Sequence, residues 1–168
     1  VGKDSERETI PMHQELKKGL ERALFKPSTY REKAMKYHFK VHSEKDGFWA
    51  ECIELQCCHT QAKSRKSLEI HMKEALDLYL DEPLDSRLVL PLPKKRLTGK
   101  GIVQVEVNPH IAFSFYLRQL RLAHGMTQSQ VAEKLGLKNL YSYQRRESSE
   151  TANREVATII ELKRVFPD

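Results

Sequence analysis

Long apolar runs are missing from this chain. No stretch approaches the length that crosses a bilayer, and the first residues lack the apolar core of a signal peptide, so the expected location is the cytoplasm. Cysteine is scarce: the three present, Cys52, Cys57 and Cys58, crowd into one segment beside His59. Successive residues on a strand point to opposite faces, so Cys57, Cys58 and His59 do not converge on one ion, and no second ligand pair lies nearby. Reduced, partly buried thiols are the expected state, with no metal. Glycine numbers only seven, and no Gly-rich phosphate loop, nucleophile elbow or metal-binding helix motif occurs. The acids Glu44, Asp46, Glu51 and Glu54 fall on turns or alternate faces, with no pair placed for two-metal phosphodiester chemistry. No catalytic residue and no cofactor are therefore expected.

What the chain has is charge, unevenly spread. Of the net +6 over 168 residues, +2 falls on residues 1–34, −2 on 35–82, +3 on 83–109 and +3 on 110–168. The basic excess sits in the C-terminal half, where a polyanion would be met. The length allows one medium domain or two small ones.

Residues 36–42 alternate, Tyr37, Phe39 and Val41 against Lys36, His38, Lys40 and His42, which is the period of a half-buried strand. His38 and His42 are expected to face solvent or to pair with carboxylates. Asp46-Gly47 signals a hairpin turn, and Phe48 to Ile53 returns, with a third strand to follow. Ser64 is a natural N-cap for a helix running to about Asp81, with Leu68, Met72, Ala75, Leu76 and Tyr79 on one face and Pro83 as its stop. Pro83, Pro91, Pro93, Gly99 and Gly101 then mark an irregular connection, in which Lys94-Lys95-Arg96 reads as a solvated loop. Ile102 to Val107 alternates as a further strand, and a domain boundary falls near Pro109. The fold class is α+β: a small sheet with a packed helix over 35–108, then an all-helical domain over 109–168.

That second domain carries the sharpest local signal. A helix from about Ile111 to Ala123 holds Phe113, Leu117 and Leu120 at helical spacing. Thr127 and Gln130 form a capping box, Val131, Ala132 and Leu135 share a face, and Gly136 ends the helix where a left-handed residue is wanted. A helix from Lys138 to Glu147 follows at once. Such a helix-turn-helix reads DNA through its second helix, so Lys138, Asn139, Tyr141, Ser142, Gln144 and Arg145 are the candidate base and phosphate contacts, one of Tyr141 and Tyr143 being expected in the core. A dimer reading a symmetric operator needs two such helices about 34 Å apart.

The run Asp46-Gly47-Phe48-Trp49-Ala50-Glu51-Cys52-Ile53-Glu54-Leu55-Gln56-Cys57-Cys58-His59-Thr60-Gln61, followed by Glu74-Ala75-Leu76, resembles the HicB antitoxin family. That family shows Asp-Gly-aromatic, then Glu-Leu-Pro-Gly-Cys-x-Thr-Gln, then Glu-Ala-Leu, on a degenerate ribonuclease H-like fold. The C-terminal half resembles the Cro/Xre-type helix-turn-helix that many members append, in which Gln128, near the start of the second helix, meets phosphate. Gln56 and Cys57 depart from the family's Pro and Gly, Arg146 replaces an apolar anchor, and residues 137–147 run one residue longer than the commonest version. The resemblance implies an antitoxin that neutralises a HicA-type ribonuclease and represses its own operon. A stand-alone regulator whose sheet dimerises or senses a ligand is the alternative, and an enzyme ranks third, by fold analogy alone.

Residues 1–34 resemble something else. Thr9-Ile10-Pro11-Met12-His13 and Glu15-Leu16-Lys17-Lys18-Gly19 are similar to the last strand and helix of HicA toxins, which would make Met35 the ordinary antitoxin start. The toxins' catalytic His belongs to a segment upstream of this match, so His13 does not inherit its role. Leu16, Leu20, Ala23 and Leu24 form an apolar stripe expected to dock weakly as a helix.

Overall fold

The computed structural model describes residues 34–151 together with Val165 and Phe166. The toxin-like segment and its apolar stripe lie outside the described residues. Within them the chain forms β1 (Lys36–Glu44), β2 (Gly47–Cys52), β3 (His59–Ala62), α1 (Arg65–Leu80), β4 (Ile102–Glu106), α2 (Pro109–Ala123), α3 (Gln128–Lys134) and α4 (Leu140–Glu147). The class is α+β, as the alternation and helical spacings predict.

The four strands make one antiparallel sheet in the order β3-β2-β1-β4. Its register sets Tyr37 opposite Val105, Phe39 opposite Cys52 and Val103, and Val41 opposite Ala50, so the apolar half of each strand lands on one face. α1 lies on that face. Leu68, Met72, Leu76 and Leu80, one turn apart, are buried there, while Ala75 and Tyr79 are half-buried at the edge. Each such side chain contributes roughly 1.5–3 kcal/mol. Ser64 caps α1 by accepting from Ser67 N, and the helix ends one residue before the expected Asp81. At the hairpin, Gly47 allows the strands to close: a Cβ there would meet Ala62 O at 2.7 Å. The turn in which Gln56 and Cys57 depart from the family pattern still forms, with Cys57 itself left-handed at φ 63°.

His38 and His42 both find carboxylates, in different surroundings. His42 stacks on Trp49 at 4.0 Å and meets Glu51 at 3.2 Å on the exposed face. His38 is fully buried, with Nδ1 2.6 Å from Glu54 Oε1. Its Nε2 accepts from Leu97 N at 3.2 Å, so the ring proton sits on Nδ1 and is donated to Glu54. The same carboxylate accepts from His38 N and Lys94 N. The side chains of Lys94, Lys95 and Arg96 are exposed as expected, but the backbone beneath them is pinned to the sheet.

The irregular connection over 81–101 is held by side chains throughout. Gln119 accepts from Leu90 N and donates to Leu88 O, and Tyr37 donates to Pro91 O at 2.8 Å. Burial raises the pKa of that Tyr37 phenol, keeping it a donor. The second core gathers Phe113, Leu117 and Leu120 of α2 with Val131, Ala132, Tyr143 and Phe166. α2 also sends Ala112 and Phe115 into the first core, and ten of its residues are buried. It therefore joins the two cores. Asp77 of α1 fixes the joint by accepting from Asn108 N at 2.8 Å, and Asn108 in turn caps α2. Desolvation raises the pKa of Asp77, with the Asn108 bond opposing it.

Two stability changes follow. Glu54→Ala strands the two donors of buried His38, besides the exposed Lys94 N, and is expected to cost about 2–6 kcal/mol, at roughly 1–3 kcal/mol for each buried donor left unmet. Cys57→Gly removes a side chain from a left-handed residue and is expected to add about 0.5–1 kcal/mol. Urea midpoints of the two variants check both signs.

Candidate nucleic-acid interface

The turn between α3 and α4 is built by local chemistry. Thr127 Oγ1 accepts from Gln130 N at 3.2 Å while Gln130 Oε1 accepts from Thr127 N at 2.8 Å, the reciprocal box expected from the sequence. After Leu135 the chain turns through Gly136 at φ 65°, and Leu137 N returns to Ala132 O at 2.9 Å. A Cβ on Gly136 would meet nothing within 4 Å, so the dihedral alone asks for glycine there. α4 then starts at Leu140, later than the expected Lys138, because Asn139 serves as its N-cap. Asn139 Oδ1 accepts from Ser142 N and from Ser142 Oγ, both at 2.9 Å. Lys138 and Asn139 thus belong to the turn.

Behind this surface lies a buried carboxylate. Glu147 is completely enclosed and receives four donated hydrogen bonds. Arg121 grips it with Nε on Oε1 at 2.6 Å and Nη2 on Oε2 at 3.1 Å. Tyr143 donates to Oε1 at 2.7 Å, and Gln128 Nε2 to Oε2 at 2.8 Å. Arg121 Nη1 also reaches Met126 O, just before the α3 cap. One ion pair therefore ties α2, the α2–α3 turn, α3 and α4 together. Burial disfavours the Arg121 charge, but the hydrogen bond and charge of Glu147 outweigh it and raise the Arg121 pKa. Burial, then Glu147, pushes the Tyr143 phenol well above its ordinary value. Arg118 is buried and its Nε meets no hydrogen-bond acceptor; desolvation lowers its pKa, and the charge of Glu147 only partly offsets it.

The candidate contacts divide by exposure. Lys138, Asn139, Tyr141 and Arg145 are exposed, and Tyr141 and Arg145, one turn apart, lie on the same side of α4. Tyr141 is 67% exposed and Tyr143 is the core tyrosine. Ser142 and Gln144 are half-buried, and Gln144 Nε2 donates to Gln128 Oε1 at 3.2 Å. Gln128 is also committed inwards: besides Glu147, its amide donates to Leu84 O of the connection at 2.8 Å. A phosphate contact by Gln128 therefore requires it to exchange a partner. Arg121, Glu147 and Gln119 were not among the candidate site residues. The available signal for Glu147 was its place one helical turn after the inward-facing Tyr143.

Among the described residues, no group of three or more His, Cys, Asp or Glu is placed to hold a metal ion, and no helix is long and apolar enough to cross a membrane. In comparisons with known proteins, no family model matches the chain and no curated protein matches it.

Removing either partner of the central ion pair leaves a charge buried without its counter-charge, and Arg121→Ala or Glu147→Ala is expected to cost about 3–5 kcal/mol. The double variant is expected to be scarcely worse than either single one, since the stranded charge is the main cost. Chemical denaturation of the three variants measures that non-additivity.

Proposed function

We propose that this chain is an antitoxin of the HicB kind, a binding protein without catalysis. In this reading α2, α3 and α4 form a Cro/Xre-type helix-turn-helix that binds operator DNA as a dimer, and the sheet with α1 masks a HicA-type ribonuclease. One observation carries the DNA half. A capped α3 and a capped α4, joined by the Gly136 turn and cross-tied through Glu147, leave Lys138, Tyr141 and Arg145 outward on a rigid support. Bases and phosphates are contacted by such a cationic and aromatic set. The basic balance of residues 83–168 supports the same reading.

The toxin-binding half rests on the resemblance of residues 46–61 and 74–76, together with the strand-strand-strand-helix-strand order that a degenerate ribonuclease H-like domain calls for. Catalysis is left out because Glu54 is consumed in holding His38 and the connection, and Glu51 is engaged with His42.

Arg145→Ala is expected to weaken binding to the chain's own promoter DNA by about 1–3 kcal/mol if it reads a base, and to weaken all sequences alike if it meets phosphate. Gel-shift titration of the full chain against promoter and random DNA separates the two. For the other half, the full chain co-expressed with its neighbouring small ribonuclease is expected to co-purify with it and suppress its RNA cleavage. A ribonuclease that remains active and elutes alone would leave a DNA-binding regulator in its place.

A further inference from the structure

We propose that Cys52 and Cys58 are a peroxide-oxidisable dithiol, a modification site that closes to a cross-strand disulfide at the end of the β2–β3 hairpin. The register runs Phe48 to Ala62, Trp49 to Gln61, Ala50 to Thr60 and Glu51 to His59, so the next step sets Cys52 opposite Cys58. One bond of the ladder continues at that step, Cys52 N donating to Cys58 O at 2.7 Å, while Cys58 N turns to Leu55 O at 3.4 Å. Directly opposed residues share a face of the sheet, with Cα atoms about 5.5 Å apart at a hydrogen-bonded pair. That separation lies inside the span of roughly 4.4–6.8 Å that a disulfide bridges. Both cysteines are buried and free, whereas Cys57, in the left-handed turn between them, is exposed.

The two thiols are also chemically unequal. The hydrogen bond between them, followed by burial, raises the Cys52 pKa; the same bond lowers that of Cys58 against its own desolvation. Cys52 Sγ also donates to Glu54 Oε2 at 3.8 Å, which holds its proton and leaves Cys58 as the attacking sulfur. A recess of about 460 Å³, lined by Trp49, Glu51 and Leu55 together with the three cysteines, lies beside the pair.

The chemistry balances with hydrogen peroxide as oxidant. The Cys58 thiolate attacks one peroxide oxygen, the O–O bond breaks, and Cys58 sulfenic acid and hydroxide result. The Cys52 sulfur then attacks the sulfenic sulfur and expels a second hydroxide. The protons of the two thiols convert both hydroxides to water, so two thiols and one peroxide become one disulfide and two waters. The bond encloses residues 53–57, the turn with the left-handed Cys57.

The test uses the full chain, treated with hydrogen peroxide, alkylated and digested with trypsin. All three cysteines fall on one peptide, residues 46–63. The expected product carries a single alkyl group, on Cys57, and prior reduction restores three. In Cys57→Gly the peroxide-treated peptide is expected to carry none and the reduced peptide two, with an unchanged far-ultraviolet circular dichroism spectrum as the check on folding. Three alkyl groups after peroxide would overturn the proposal. So would a disulfide that includes Cys57, or oxidation confined to Cys57 with Cys52 and Cys58 still alkylated. None of these outcomes depends on whether the chain binds DNA or a ribonuclease.

Discussion

The helical half of this protein depends on one buried carboxylate. Glu147 sits at the last position of α4 with no access to water, and a bare carboxylate in such a place is untenable unless paired and hydrogen-bonded. Arg121, Tyr143 and Gln128 supply what water would have supplied. Because those groups come from three helices, satisfying the charge also fixes the helices against each other. The exposed side of α4 inherits that rigidity, which a reading surface needs, since positions held by packed helices are better defined than positions on free loops.

A similar logic governs the connection over 81–101, which has no regular hydrogen-bond ladder of its own. Backbone groups need partners, and here they come from His38 of β1, from Glu54 in the turn after β2 and from Gln119 of α2. The strap therefore contacts both cores rather than merely spanning them. Its Leu84 carbonyl also holds Gln128, at the first turn of α3. The sheet half and the helical half are thus linked through α2, through Asp77 and Asn108, and through this strap.

Elements set by neighbours in sequence were legible before any coordinates. The alternation of residues 36–42, the Ser64 cap, the Thr127–Gln130 box and the Gly136 stop each act within a few residues, and each sits where it was expected. The α4 start was misplaced by two residues because Lys138 and Asn139 were read as helix, although asparagine before a polar run is a cap signal. The roles of Glu54, Gln119 and Glu147 were not legible. Each bonds to groups between 19 and 40 residues away in at least one contact, and a polar residue reveals such a partner only once the chain has folded. Burial of His38 escaped notice for the same reason, because the segment that covers it, near Leu97, lies 59 residues on.

For the candidate site, residue type and approximate place were readable, but orientation was not. Lys138, Tyr141 and Arg145 turn outward, whereas Gln128 and Gln144 bind each other. The central claim is that the outward set on α4 and the turn before it reads DNA as one half of a symmetric pair. Hydroxyl-radical footprinting of the full chain on its own promoter tests that most directly. The account predicts an inverted repeat protected at two half-sites centred about 34 Å apart. Failure to protect any promoter segment at protein concentrations that saturate a gel shift on random DNA would contradict it.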